Sequence, residues 1–139
     1  MKLDIDNIKK FFSKDKFAES AGIIIESITE DSVQCSMTIK DAHRNSVFGV
    51  HGGAIFTLAD FTFAIQANLE NLSGGDVGNT IAQSCNIYYL NSSRGNILIA
   101  NSKCIKKGRN MSVYQVTIKD DLGKEIATMV ANGFTISNK

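Results

Sequence analysis

The segment Asn45-Ser46-Val47-Phe48-Gly49-Val50-His51-Gly52-Gly53 leads straight into a stretch, Gly52 to Leu69, whose only formal charge is Asp60. Paired glycines at a helix start let another group approach the backbone closely, and the first N–H groups of a helix have no partner inside it. Such an end receives a negative oxygen. A phosphate would call for a Lys-Ser/Thr pair after the last glycine, whereas Gly53 is followed by Ala54-Ile55-Phe56. The oxyanion of a tetrahedral acyl intermediate, which needs one or two fixed donors, suits the loop better. Close packing alone would also account for two adjacent glycines.

Asp60 adds a second chemical group. A carboxylate in an otherwise uncharged, apolar helix is costly unless it is paired, hydrogen-bonded or functional. Gly52 and Asp60 lie eight residues apart, which is roughly 12 Å along a helix axis at about 1.5 Å per residue. Reacting groups must converge to about 3 to 3.5 Å, so one chain cannot bring both to the same carbonyl. A two-fold axis that sets two copies of the helix antiparallel would place Asp60 of one copy near Gly52 of the other, twice over. Two shared sites per dimer are therefore expected.

The elements that must hold these groups follow from periodicity. Ile5, Ile8, Phe11 and Phe12 have helical spacing, with Lys9, Lys10, Lys14 and Lys16 opposite, which predicts one amphipathic helix over Asp4 to Phe17. From Gly22 the pattern changes to β-branched runs, Ile23 to Ile28 and Val33 to Ile39, joined by the polar quartet Thr29-Glu30-Asp31-Ser32. The stretch Gly52 to Leu69 is apolar on nearly all faces, as a buried helix is. Asp60, Gln66 and Asn68 within it, with His51 and Glu70 flanking, argue against a lipid span. Four more strand-like runs follow, Asn79 to Leu90, Gly95 to Lys106, Asn110 to Lys119 and Lys124 to Ile136, separated by good turn chemistry. One buried helix and about six mostly antiparallel strands make an α+β domain whose sheet must curl around the helix. A single helix cannot be enclosed on every side by one sheet, so part of it, or of the sheet edge, is expected to meet another subunit.

Composition narrows the function classes. The chain has 139 residues, 43% hydrophobic, and a formal net charge of +1, enough for a core in one domain spanning residues 1–139. A near-neutral balance does not fit a nucleic-acid binder, which needs a basic surplus to replace phosphate counterions. The first residues show no secretory signal, and a cytoplasmic protein without a membrane role is expected. Cys35, Cys85 and Cys104 lack the paired spacing of zinc or redox motifs. They read as buried reduced thiols, and no metal is implied.

Taken together, Asn45, His51-Gly52-Gly53 and Asp60 at these spacings resemble the signature of hotdog-fold acyl-CoA thioesterases of the PaaI (phenylacetic acid degradation) type. The resemblance implies a hotdog core over residues 21–139 behind an N-terminal helical segment, 1–20, and hydrolysis of an acyl-CoA thioester without a cofactor, coenzyme A being part of the substrate. It assigns the Asn45 side chain and the Gly52 N–H to polarising the thioester carbonyl, and Asp60 of the partner subunit to activating water or attacking as a nucleophile. It gives His51 and Gly53 a positioning role, although an imidazole, titrating near neutrality, could also act as a base. His43 reads as a loop residue. The basic turn Lys106-Lys107-Gly108-Arg109 resembles the one that such enzymes use to hold the phosphates of coenzyme A, and the dimers of the family often pair into tetramers.

Two departures from the family pattern stand out. Gly49 lies two residues before His51, where the family more often has its glycine three before. Ala82 stands where a Ser or Thr often supports the carboxylate, and Thr80 is the nearest hydroxyl on the same strand face. Two other readings remain beside hydrolysis: a hydratase, for which no His–carboxylate pair at the usual spacing is found, and a non-catalytic acyl-CoA-binding module, which would keep Gly52 and the basic turn but not need Asp60.

Overall fold

The computed structural model describes residues 1–76 and 78–136. The chain begins with two short helices, α1 (Ile5–Phe12) and α2 (Lys16–Ala21), where the sequence predicts one. Aspartates start both. The Asp4 carboxylate accepts from the Asn7 N–H and the Asp15 carboxylate from the Ala18 N–H, so a new N-cap at Asp15 ends the continuous run. Gly22, at φ 78°, closes α2 in the left-handed conformation that suits glycine, so the helix ends at Ala21, one residue beyond the 1–20 segment expected.

Strands β1 (Ile23–Ile28) and β2 (Ser32–Thr38) form the expected hairpin, with Thr29 and Ser32 bonded across its turn. A short 3-10 turn, Asp41–His43, and the loop 44–50 then lead into α3 (Gly52–Ala67). The run anticipated to Leu69 stops earlier because Asn68 turns its side chain onto the backbone. Its Nδ2 donates to the Ala64 and Thr80 carbonyls, and its Oδ1 accepts from the Thr80 N–H. A further helix, α4 (Leu69–Ser73), follows. Strands β3 (Thr80–Tyr89), β4 (Ile97–Lys107), β5 (Met111–Asp120) and β6 (Glu125–Thr135) complete the chain within one or two residues of the sequence reading.

The six strands form one sheet in the order β1-β2-β4-β5-β6-β3, with every neighbouring pair antiparallel. Inward residues alternate along each strand, such as Val33, Cys35 and Met37 of β2 and Val116 and Ile118 of β5. They close on Leu58, Ala59, Phe63 and Ile65 of α3, all but shut off from solvent. This is the curled sheet around a long helix that the sequence predicts.

The sheet has two free edges, β1 and β3. Strand β3 contains no charged residue, and Ile81, Tyr88 and Tyr89 on it are more than half exposed. Natural edge strands are normally blunted with charges or proline. No described helix is long and apolar enough to cross a membrane.

The thiols differ from the sequence expectation. Cys35 is buried, Cys85 only partly so, and Cys104 is exposed. Cys104 sits beside the bulge near the end of β4, where residues 103–107 are all exposed. Burial pushes the Cys35 thiol up to about 11, which leaves it protonated and inert.

Candidate active site

The loop before α3 is a closed hairpin. Arg44 bridges Val50, the Asn45 N–H donates to the Gly49 carbonyl, and the Phe48 N–H donates to the Asn45 carbonyl. The Asn45 Oδ1 accepts from the Val47 and Gly49 amides at 3.1 and 2.9 Å. This arrangement fixes the side chain, and its Nδ2 is left without an acceptor among the described residues.

Phe48 resolves the displaced glycine. It has φ 62° and is the one described non-glycine residue with a positive φ. The turn needs a left-handed residue three places before His51, and here Phe48 takes that conformation in place of glycine. Arg44 holds it there. Its guanidinium lies 4.8 Å from the Phe48 ring centroid and donates to the Phe48 carbonyl.

His51 is the N-cap of α3, and its Nδ1 accepts from the Gly53 N–H at 2.9 Å. Accepting at Nδ1 places the ring proton on Nε2 in the neutral imidazole. The Gly53 amide is thereby used up, while the Gly52 N–H has no acceptor among the described residues. A Cβ at Gly53 would come within 3.1 Å of His51 Nδ1, and one at Gly52 within 3.3 Å of the Tyr89 ring. Tyr89 covers Gly52, and its hydroxyl donates to the Gly52 carbonyl at 3.1 Å.

Asn45 and Gly52 border one cleft of about 400 Å³, walled also by Val50, Ile55, Tyr89 and Leu90. Asp60 is not part of it. Its carboxyl is raised above the ordinary aspartate range, first by burial and then by the charge of Asp15. No hydrogen bond or ion pair with the described residues neutralises it. Asp60 in turn raises the Cys85 thiol, second to the effect of burial. Asp60 is thus within electrostatic reach of Asp15 at the start of α2 and of Cys85 on β3, and about 12 Å along the helix from Gly52.

The remaining sequence candidates lie at the other end of α3. The Thr80 hydroxyl is committed to Thr135 and Asn71, and its backbone to Asn68. It supports the helix end and not Asp60, and the inner β3 residue that feels the Asp60 charge is Cys85. The basic turn joins β4 and β5 beside α4. Lys107 pairs with Glu70, whose carboxyl is lowered by that hydrogen bond and charge. The Gly108 N–H closes the turn onto the Met111 carbonyl, and a Cβ there would come within 2.5 Å of that oxygen. Lys106 and Arg109 are thus left as its cations without an ion pair among the described residues.

His43 is also more than a loop residue. It is buried, with Nδ1 accepting from the Lys40 N–H and Nε2 against the Ala21 carbonyl. It ties the end of α2 to the turn leading to the site.

No cluster of three or more metal-ligating side chains occurs among the described residues. Three residues around the site were not found by motif spacing: Tyr89, Cys85 and Asp15. The first two follow from the alternation of β3, because Cys85, Ile87 and Tyr89 pair with inward residues of β6.

Known proteins share this fold. The family model described as a domain of unknown function, DUF4442, matches residues 8–133. The acyl-coenzyme A thioesterase PaaI of Escherichia coli is 29% identical over 122 residues, covering 87% of this chain and 83% of that protein. The chain belongs to the PaaI-type hotdog thioesterase family. The solved E. coli PaaI structure superposes with a TM-score of 0.85 at 26% identity, over 96% of this chain and 94% of that one. A thioesterase protein of Streptococcus pneumoniae, solved with coenzyme A, shares the fold at 21% identity and a TM-score of 0.80, over 95% and 98% of the two chains.

Proposed function

We propose that the protein hydrolyses acyl-CoA thioesters to a carboxylic acid and free coenzyme A, in sites shared by two copies of the chain. The observation that carries this reading is the pair of unused donors, the Gly52 N–H and the Asn45 amide, held rigidly on one cleft. A thioester oxygen placed between them gains most as it becomes an oxyanion, which is where catalysis draws its advantage.

Asp60 of the other copy supplies the base. Its carboxylate takes a proton from water, the water oxygen attacks the carbonyl carbon, and collapse breaks the C–S bond to release the thiolate, which recovers the proton. In the variant mechanism the carboxylate attacks directly and water cleaves the resulting anhydride. The raised carboxyl suits a base. The name of the E. coli relative supports the acyl-CoA class.

The chargeless edge of β3 supports the dimer. Pairing β3 with its own copy around a two-fold axis extends the sheet and sets the two α3 helices antiparallel. It also brings the hairpin carrying Lys106 and Arg109 toward the open helix end of the partner, where the phosphates of coenzyme A would meet them. Three thiols without a disulfide suit a reducing cytoplasm.

Mixed dimers test the shared site. Asn45→Ala and Asp60→Asn chains are each expected to be nearly inactive, whereas a heterodimer of the two contains one intact site and regains half the wild-type rate. No recovery in a verified heterodimer would place both groups in one chain. A wild-type protein that binds acyl-CoA but hydrolyses none of a panel from acetyl to long-chain and aryl-acetyl thioesters would be a binding module.

A further inference from the structure

Besides the cleft at Gly52, a larger cavity of about 560 Å³ lies under the N-terminal helices, between α1, α2 and the edge strand β1. Its walls include Phe12, Ala18, Ile23, Ile25 and Phe61. Phe12 and Phe61 meet edge to face at 5.6 Å between ring centroids, so the aromatic wall is fixed. The volume falls in the range of small-molecule sites.

The position of this cavity gives it a use. Phe61 follows Asp60 on α3, and Asp15, whose charge reaches Asp60, stands at the cavity rim. We propose that this cavity receives the acyl group of the substrate, from the subunit that supplies Asp60, and that Phe12 and Phe61 limit its bulk. This proposal rests on the acyl-CoA reading above. Coenzyme A would then leave the carbonyl through the Asn45–Gly52 cleft of one subunit, while the acyl group continues past the carboxylate of the other.

The wall chemistry specifies the class of acyl group. Phenylalanine, isoleucine and alanine side chains offer an apolar interior. The charged residues at the rim are Lys9 and Lys40 on one side of the balance and Asp15 and Glu19 on the other. No sign is in excess, so an uncharged apolar acyl chain or ring fits, whereas an acyl group ending in a second carboxylate finds no net positive partner.

The test is a selectivity ratio. For wild type, Phe12→Leu and Ile24→Glu, kcat/KM is measured across straight-chain acyl-CoAs and aryl-acetyl-CoA, each set normalised to the same protein's acetyl-CoA value. Ile24 borders the cavity and is 57% exposed, so a charge there leaves the fold intact. Phe12→Leu is expected to raise the bulky-to-acetyl ratio by roughly tenfold, and Ile24→Glu to lower it by a similar factor. A purely structural role would scale all substrates together and leave both ratios at the wild-type value, which overturns the proposal. A change in oligomer mass for Ile24→Glu without a change in ratio would assign the cavity to a second copy of the chain, with the same consequence. Absence of hydrolysis by wild type on every thioester would instead remove the acyl-CoA reading itself.

Discussion

The two ends of α3 are built from similar polar groups and used in opposite ways. At its C-terminal end Asn68, Asn71, Thr80 and Thr135 satisfy one another, with Asn68 alone joined to the Ala64 and Thr80 carbonyls and to the Thr80 N–H. At its N-terminal end the Asn45 oxygen is spent on the loop while the amide is held back, and His51 caps Gly53 while Gly52 is left open. A closed network rigidifies a fold, whereas donors fixed in place without acceptors wait for a ligand. The difference separates the structural Asn from the one proposed to hold the substrate, which residue type alone does not.

The strongest way to break this contrast is Asp60→Asn. Turnover should fall by about 10²- to 10⁴-fold if the carboxylate is the base, read with the best substrate of the acyl-CoA panel. Stability should move the other way. The Asp60 carboxyl is raised in the folded chain, so its favourable contribution is complete only below the ordinary aspartate pKa and is lost as pH rises through the raised value. The Asn variant should therefore melt at a higher temperature than wild type at pH 7, and the gap should close on acidification. Equal melting curves at pH 7 would mean that the carboxylate is not held at a cost.

Asn68→Ala probes the closed end. It leaves buried backbone groups unpaired and should cost about 2–4 kcal/mol in urea unfolding, while kcat of the folded protein holds. A selective loss of kcat instead would make the two ends functionally alike.

The smallest expected effect belongs to Asp15→Asn. Asparagine caps a helix as well as aspartate does, so α2 should persist while one negative charge beside Asp60 disappears. Without that like charge the Asp60 carboxyl ionises more readily, and the acid limb of kcat/KM should move to lower pH. A limb that stays in place would remove Asp15 from the electrostatics of the site.

Strand alternation and the apolar run of α3 made the sheet, the helix and its open end legible in the sequence, because burial on one or all faces leaves a period in the residues. The misread features have causes without a period. One side-chain hydrogen bond at Asp15 divides the N-terminal helix, and another set at Asn68 stops α3. Phe48 in a left-handed turn hides the conformation that a glycine would have announced. Thr80 carries the hydroxyl anticipated near Asp60, yet its partners lie across the strand end. The spacing of Asn45, Gly52 and Asp60 was visible; the bond from Tyr89 to the Gly52 carbonyl needed the pairing of β3 to place it.

The uncharged edge of β3 ties chemistry to abundance. A newly made chain carries a ten-residue strand at a free sheet edge and, on the shared-site reading, half of each catalytic set. Until it meets another copy it is inactive and open to pairing with any other free strand. At low concentration the rate should then grow as the square of the chain concentration, and become linear once dimers dominate. The same strand that completes the site would thus act as a counter of how many copies are present.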